Sequence, residues 1–279
     1  MGNLLSAGLY RLLRSKVFYV GLASMALIEV WFLMNASGSA IVEGMERQSF
    51  FGFLEMLIFV AATFCGLFLG AEFSNGTLRN KLILGHTKAQ VYSSHVFLSA
   101  LAGLCFCIVS IAAGLLFGLL SKRTFTLDAG ELFGYFVCSF LIVLAISSLS
   151  AMIATLFTNR SAGIVVNLLL AIALLFSASY IVNALHQPET IPQSSTITQN
   201  GITLYSVDPT LPEIPNPAYP RGAWRAILQF LWDFLPTCQG MQLATVEVDS
   251  FWTLGLYCLL FIALTTGVGL VLFQHKDIK

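Results

Sequence analysis

The sequence predicts an all-α membrane protein with six transmembrane helices, and three observations predict it. Apolar residues fill 57% of the 279 positions and charged residues only 10%, against about 25% charged in an ordinary soluble domain. Mean hydropathy is +0.83, so there is too little polar surface to cover a globule in water. Six apolar stretches are long enough to cross about 30 Å of hydrocarbon, which takes roughly 20 residues. They fall at 17–35, 50–70, 96–120, 132–157, 162–185 and 251–273. These spans must be helices, because backbone groups in lipid need partners within their own segment and no run of short alternating strands suggests a barrel. The 14 basic and 14 acidic side chains cancel, which excludes nucleic-acid binding through a basic face.

The first sixteen residues, MGNLLSAGLYRLLRSK, put Leu5, Leu9, Leu12 and Leu13 on one helical face and Arg11 and Arg14 towards the other. Two structures fit this pattern: a helix lying in the membrane interface, or an extension of the first span. A basic start, an apolar run and Ala36-Ser37-Gly38 resemble a signal peptide, but the run is too long for one. The short myristoylation and N-x-S/T matches carry little weight for the same reason that any short motif does.

Orientation follows from Lys and Arg. One alternating set of segments holds Arg11, Arg14, Lys16, Arg79, Lys81, Lys88, Arg160, Lys276 and Lys279 against Glu72 and Asp277, a net +7. The other set, with Arg47, Lys122, Arg123, Arg221 and Arg225 against ten acids, carries −5. The first set is expected to be cytoplasmic, with both termini inside the cell membrane.

Two connections between spans are long. Residues 71–95 form the expected cytoplasmic segment. There Asn75-Gly76 reads as a turn, Thr77 as the cap of a short helix through Leu84, and Gly85 as its stop. Leu78, Leu82 and Ile83 supply an apolar side, with Arg79 and Lys81 pointing elsewhere. Residues 186–250, the expected extracellular segment, hold all 8 prolines. Residues 186–220 read as irregular or extended loop. In AWRAILQFLWDFLP, by contrast, Trp224, Ile227, Leu228, Leu231, Phe234 and Leu235 recur at helical spacing, so an interfacial or re-entrant helix is expected to end at Pro236. Asp233 on that helix should face water or a polar neighbour. The whole chain reads as one six-helix domain, 1–279.

Catalytic signatures are missing. No GxxxxGK[ST], HExxH or GxSxG occurs, and His86, His95, His186 and His275 show no metal-ligand spacing. Five of the six cysteines fall within spans and only Cys238 outside, which leaves no external pair for a disulfide. Two acids stand out inside the spans. Glu29 lies roughly 9 Å below the outer end of its helix at 1.5 Å per residue, and Glu55 lies at nearly the same depth in the next. Neighbouring antiparallel helices would bring them into one site, and an intramembrane acid is a candidate for function, here as part of a permeation path.

The pattern E-x-x-x-G-T-L-R-x-K-L, from Glu72 to Leu82, resembles the permease subunit of type-2 ABC exporters of the Gram-positive bacterial group. So do the six-span order, Asn216-Pro217-Ala218-Tyr219, the stretch Phe234 to Gln239, and the C-terminal Phe273-x-x-Lys276-Asp277-Ile278-Lys279. The resemblance covers the whole chain, and departs from many relatives at Lys88 and His95. It implies that the segment after the second span is a coupling helix seated in a groove of a separate ATPase subunit, with Glu72, Gly76, Thr77, Leu78, Arg79, Asn80 and Lys81 as the contact region. ATP and Mg would be bound by that partner, and this chain would hold no cofactor. A second six-helix permease chain, the same or different, would complete the path. Two other functions compete: an autonomous ion or proton transporter using Glu29 and Glu55, and a non-transporting membrane scaffold or sensor.

Overall fold

A computed structural model of the chain describes residues 2–36, 50–199, 202–207 and 212–276. Arg47 and the C-terminal Asp277, Ile278 and Lys279 lie outside the described residues. Six helices are long and apolar enough to span: α2 (Lys16–Ala36), α3 (Phe53–Ser74), α5 (Lys88–Leu120), α6 (Ala129–Leu156), α7 (Arg160–Leu185) and α10 (Phe251–His275). They match the six apolar stretches of the sequence. Short helices α1 (Gly2–Leu13), α4 (Thr77–Ile83), α8 (Ala223–Phe234) and α9 (Pro236–Thr245) decorate the two ends.

α3 is the central helix, packed on α2, α6, α7 and α9, and most of its residues are buried. α5 packs on α2 and α6, and α10 on α6. Small residues set the close approaches, as expected where packing rather than hydrophobic exclusion holds helices together. A Cβ on Gly66 of α3 would lie 2.6 Å from Ile164 Cγ1 of α7, and one on Gly21 of α2 would lie 2.7 Å from the ring of Phe106 on α5.

Several boundaries differ from the sequence expectation. α1 is a separate helix, broken from α2 at Arg14–Ser15, not a continuous extension of the first span. Its packed face is Leu4, Gly8 and Leu12, while Leu9 and Leu13 are exposed and Arg11 turns into the bundle. α5 starts at Lys88, eight residues before the apolar run, because Thr87 and Gln90 form a reciprocal capping box. Its 33 residues extend about 50 Å, longer than the hydrocarbon needs.

The segment after α7 is more ordered than its composition suggests. β1 (Thr190–Ile191) pairs antiparallel with β4 (Ile214–Pro215), and β2 (Ser194–Gln199) with β3 (Ile202–Val207), Ser194 opposite Val207. α8 forms where expected. Pro236, however, opens a further helix instead of only closing one. Proline is tolerated at a first helical position because its missing N–H has no partner to lose, and the extended Leu235 redirects the chain there. α9 then re-enters the bundle against α3, α6 and α7, burying Thr237, Cys238, Gln239, Gln242 and Leu243. Its polar groups are bonded: Gln239 Nε2 donates to the Asp233 carbonyl (2.6 Å), Cys258 Sγ donates to Gln239 Oε1 (2.9 Å), and Gln242 Nε2 donates to the Trp232 carbonyl (2.8 Å). All six cysteines are free. Cys238 belongs to this helix, not to a loop, and burial pushes its thiol up to about 12. Asp233 borders a small polar cavity shared with Gln229, Gln242, Asp249 and Ser250.

Candidate functional site

The residues singled out in 71–95 fold into a compact device at the end of the bundle that carries α1 and the last residues of α10. α3 stops at Ser74, and Gly76 adopts a left-handed φ of 66° that only glycine takes without strain. α4 begins at once. Gly76, not Thr77, is therefore the N-cap, and no side chain caps the helix. Thr77 occupies the first helical position, and its hydroxyl donates back to the Glu72 carbonyl at 3.2 Å. A second left-handed glycine, Gly85 at φ 89°, follows the C-cap Leu84.

Glu72 roots this helix. Its carboxylate is 1% exposed and accepts from Lys81 Nζ of α4 at 2.7 Å. Arg11 Nη1 of α1 lies 2.5 Å from Oε1, and His95 Nε2 of α5 lies 2.9 Å from Oε2. One carboxylate on α3 thus joins α1, α4 and α5. Burial lowers the Arg11 guanidinium from its ordinary value, with the charge of Glu72 offsetting part of that cost. The Arg11 guanidinium also stacks on Phe68 at 4.0 Å. Beneath the ion pairs Leu4, Leu78, Val91, Tyr92 and Phe273 form an apolar cluster drawn from α1, α4, α5 and α10.

Two lysines extend the network to the end of α10. Lys88 Nζ donates to the carbonyls of Gln274 (2.9 Å) and Lys276 (2.7 Å). Lys276 Nζ donates to the Thr155 carbonyl of α6 (2.8 Å) and sits 4.2 Å from the Phe73 ring centre. Burial pulls the Lys276 ammonium down to about 8.

The expected contact region is therefore divided. Glu72, Leu78 and Lys81 face inward and tie α4 to the bundle, whereas Gly76, Thr77, Arg79 and Asn80 are exposed. Ile83 and Leu84 are also exposed, at 72% and 79%. Ile83 does not join the apolar side with Leu78 as its spacing suggested: the helix is only seven residues long and ends before that turn packs on anything. Those two side chains were absent from the contact region named on resemblance, although large apolar groups in a polar connection between two spans are a readable signal.

The two intramembrane acids are not hydrogen-bonded to each other, and their surroundings differ. Glu29 is fully buried, and a Cβ on Gly114 of α5 would lie 2.7 Å from its Oε1. Glu55 lies in the first turn of α3, nearer its helix end than the expected start at Phe50 implied, and α2 packs more extensively on α5 than on α3. Among the described residues neither Glu29 oxygen has a hydrogen-bond partner. Glu55, on α3, is only half-buried. No group of three or more His, Cys, Asp or Glu among the described residues is placed to hold a metal.

The chain is a polytopic helical bundle whose second and third spans are joined by a short, rooted helix. Residues 4–177 match the family model described as ABC-2 family transporter protein, and the chain belongs to that family. It is the permease subunit of a type-2 ABC transporter. The match includes the Glu72 cluster and all of α4, and stops within α7, before α8 and α9. No curated protein is detectably similar to the chain.

Proposed function

We propose that this permease exports its substrate by coupling to ATP hydrolysis in a separate subunit, with α4 as the coupling helix. ATP and Mg are bound by that ATPase. In this reading the basic end of the bundle, with both termini and α4, is cytoplasmic, and α8 and α9 are external. A second six-helix chain completes the path, and Glu55 is the intramembrane acid still open to that path or to the second chain, Glu29 being enclosed within the protomer.

One observation carries the reading: α4 presents Arg79, Ile83 and Leu84 outward while Leu78 and Lys81 anchor it inward. Exposed apolar side chains beside a cation on a rigid helix suit a groove with an apolar floor and an acidic rim. A push on α4 reaches α1, α3 and α5 together through Glu72, so docking and bundle movement are joined by short, charge-assisted bonds. An autonomous ion transporter would want its two acids in one site, and the separate surroundings of Glu29 and Glu55 offer that reading no support.

The test is copurification. The double variant Ile83→Asp, Leu84→Asp should insert and melt like the wild type, because both side chains are exposed, yet lose at least about tenfold in affinity for the cognate ATPase. Undiminished association with a functional transporter would sink the coupling assignment.

A further inference from the structure

Outside the matched region, the end of the bundle that carries α8 holds a cavity of about 550 Å³ between α7 and the start of α8. Tyr180, Asn183 and Gln187 line one wall, and Tyr219, Arg221 and Trp224 the other. The second wall is fixed. Asn216, 5% exposed, donates through Nδ2 to the Pro188 carbonyl (2.9 Å) and to Gln187 Oε1 (3.3 Å), and its Oδ1 accepts from the Ala218 N–H (2.9 Å). Those bonds lock the loop 216–221 onto the end of α7. Behind Tyr219 the Arg225 guanidinium stacks on the ring at 4.6 Å, and its Nη1 is buried with no acceptor among the described residues. Among the described residues no carboxylate lines the cavity. Three acids nearby are engaged or turned outward: Glu247 lies 3.3 Å from His186 Nε2, Glu213 accepts from the Thr190 hydroxyl, and Glu189 is exposed.

We infer that this cavity binds the phosphate headgroup of a membrane amphiphile. The Arg221 guanidinium on the cavity wall supplies charge and donors of the geometry phosphate takes, Arg225 adds a second positive charge behind Tyr219, and the side-chain amides of Asn183 and Gln187 offer further hydrogen bonds. Tyr180, Tyr219 and Trp224 are of the residue types enriched at headgroup depth. Phosphate alone would explain the arginines, but not the surfaces that continue from the cavity. On α7 Ile172, Phe176 and Tyr180 are exposed, and on α8 Trp224, Ile227 and Phe230 are exposed at a spacing of three. Both are apolar tracks for acyl chains. The assignment needs only that the bundle sits in a membrane, and is independent of coupling to an ATPase.

Isothermal titration of the purified full chain in neutral maltoside micelles tests it, with dihexanoyl-phosphatidylglycerol as the probe. Saturable binding is expected, weakened about tenfold by Arg221→Gln and further by adding Arg225→Gln, and weakened less by Arg221→Lys, which keeps the charge but not the planar fork. Dihexanoylglycerol, with the same chains and no phosphate, should not bind saturably. Inorganic phosphate should bind at least about tenfold more weakly than the lipid. Absence of saturable lipid binding, or equal binding by wild type and Arg221→Gln, overturns the site; because Arg221 is exposed, that variant keeps the fold intact. Inorganic phosphate binding as tightly as the lipid overturns the lipid assignment in favour of a soluble anion.

Discussion

The two ends of the bundle are held together by different chemistry. At the α4 end a single buried carboxylate, Glu72, gathers Arg11, Lys81 and His95, and Lys88 and Lys276 bind carbonyls nearby. At the α8–α9 end the polar residues buried in the bundle and the preceding loop are neutral: Asn216, Thr237, Gln239 and Gln242 bond to carbonyls, a backbone N–H, a side-chain amide and a thiol. Charge pairs in a dry setting are strong when complete and costly when broken. Amide bonds are worth less each and fail one at a time. The first arrangement ties four helices to one charged group; the second fixes a helical hairpin into the bundle through separate neutral bonds to α7 and α10.

The sharpest way to break the comparison is to neutralise the acid. Glu72→Gln leaves Arg11 and Lys81 without their counter-charge and should destabilise the chain by about 3–5 kcal/mol, read from denaturant unfolding in micelles. The same substitution at Glu29, equally buried but without a partner among the described residues, should change stability by less than about 1 kcal/mol. Equal losses at the two acids would remove the distinction between them.

A smaller loss is expected at the opposite end. Gln239→Leu strands the Asp233 carbonyl and the Cys258 thiol, a cost of about 1–3 kcal/mol. Because no charge pair is involved, raising salt should leave that cost unchanged, in contrast to substitutions of the partly exposed Lys81.

The smallest effect separates the ends by pH. Lys276 titrates near 8 in the folded chain against an ordinary 10.5. Between those values the unfolded chain holds the extra proton, so stability rises with pH across that window. The wild type should therefore gain melting temperature relative to Lys276→Gln as pH goes from 7.5 to 9.5. A flat difference would mean that the ammonium is not desolvated against Phe73 and Thr155.

How much of this was legible depended on distance along the chain. Each span announced itself by its own composition, and α4 by its flanking glycines, all local signals. The capping box at Thr87 and Gln90 was equally local, but was hidden by treating the apolar run as the whole of α5. Glu72 could be marked as part of a motif, yet its partners come from 61 residues earlier and 23 later, and no periodicity reveals that they converge. The depth arithmetic for Glu29 and Glu55 took the second span to start at Phe50, whereas α3 starts at Phe53 and holds Glu55 in its first turn; the rotation of α2 towards Gly114 is set by packing, which sequence does not state. α9 was missed because PTCQGMQLAT has the composition of a loop, and its amides become acceptable in the interior only once Asp233, Trp232 and Cys258 are in place to bond them.

The claim that Glu72 binds α1, α4 and α5 into one moving body is tested most directly by amide hydrogen exchange on wild type and Glu72→Gln, compared segment by segment in the same micelles. Protection should fall together in α1, in the first turns of α5 and in α4, where Asn80 N–H bonds to Gly76 O and Leu84 N–H to Asn80 O, while α8 and α9 keep theirs. Loss of protection confined to α4, or spread evenly over both ends, would contradict it.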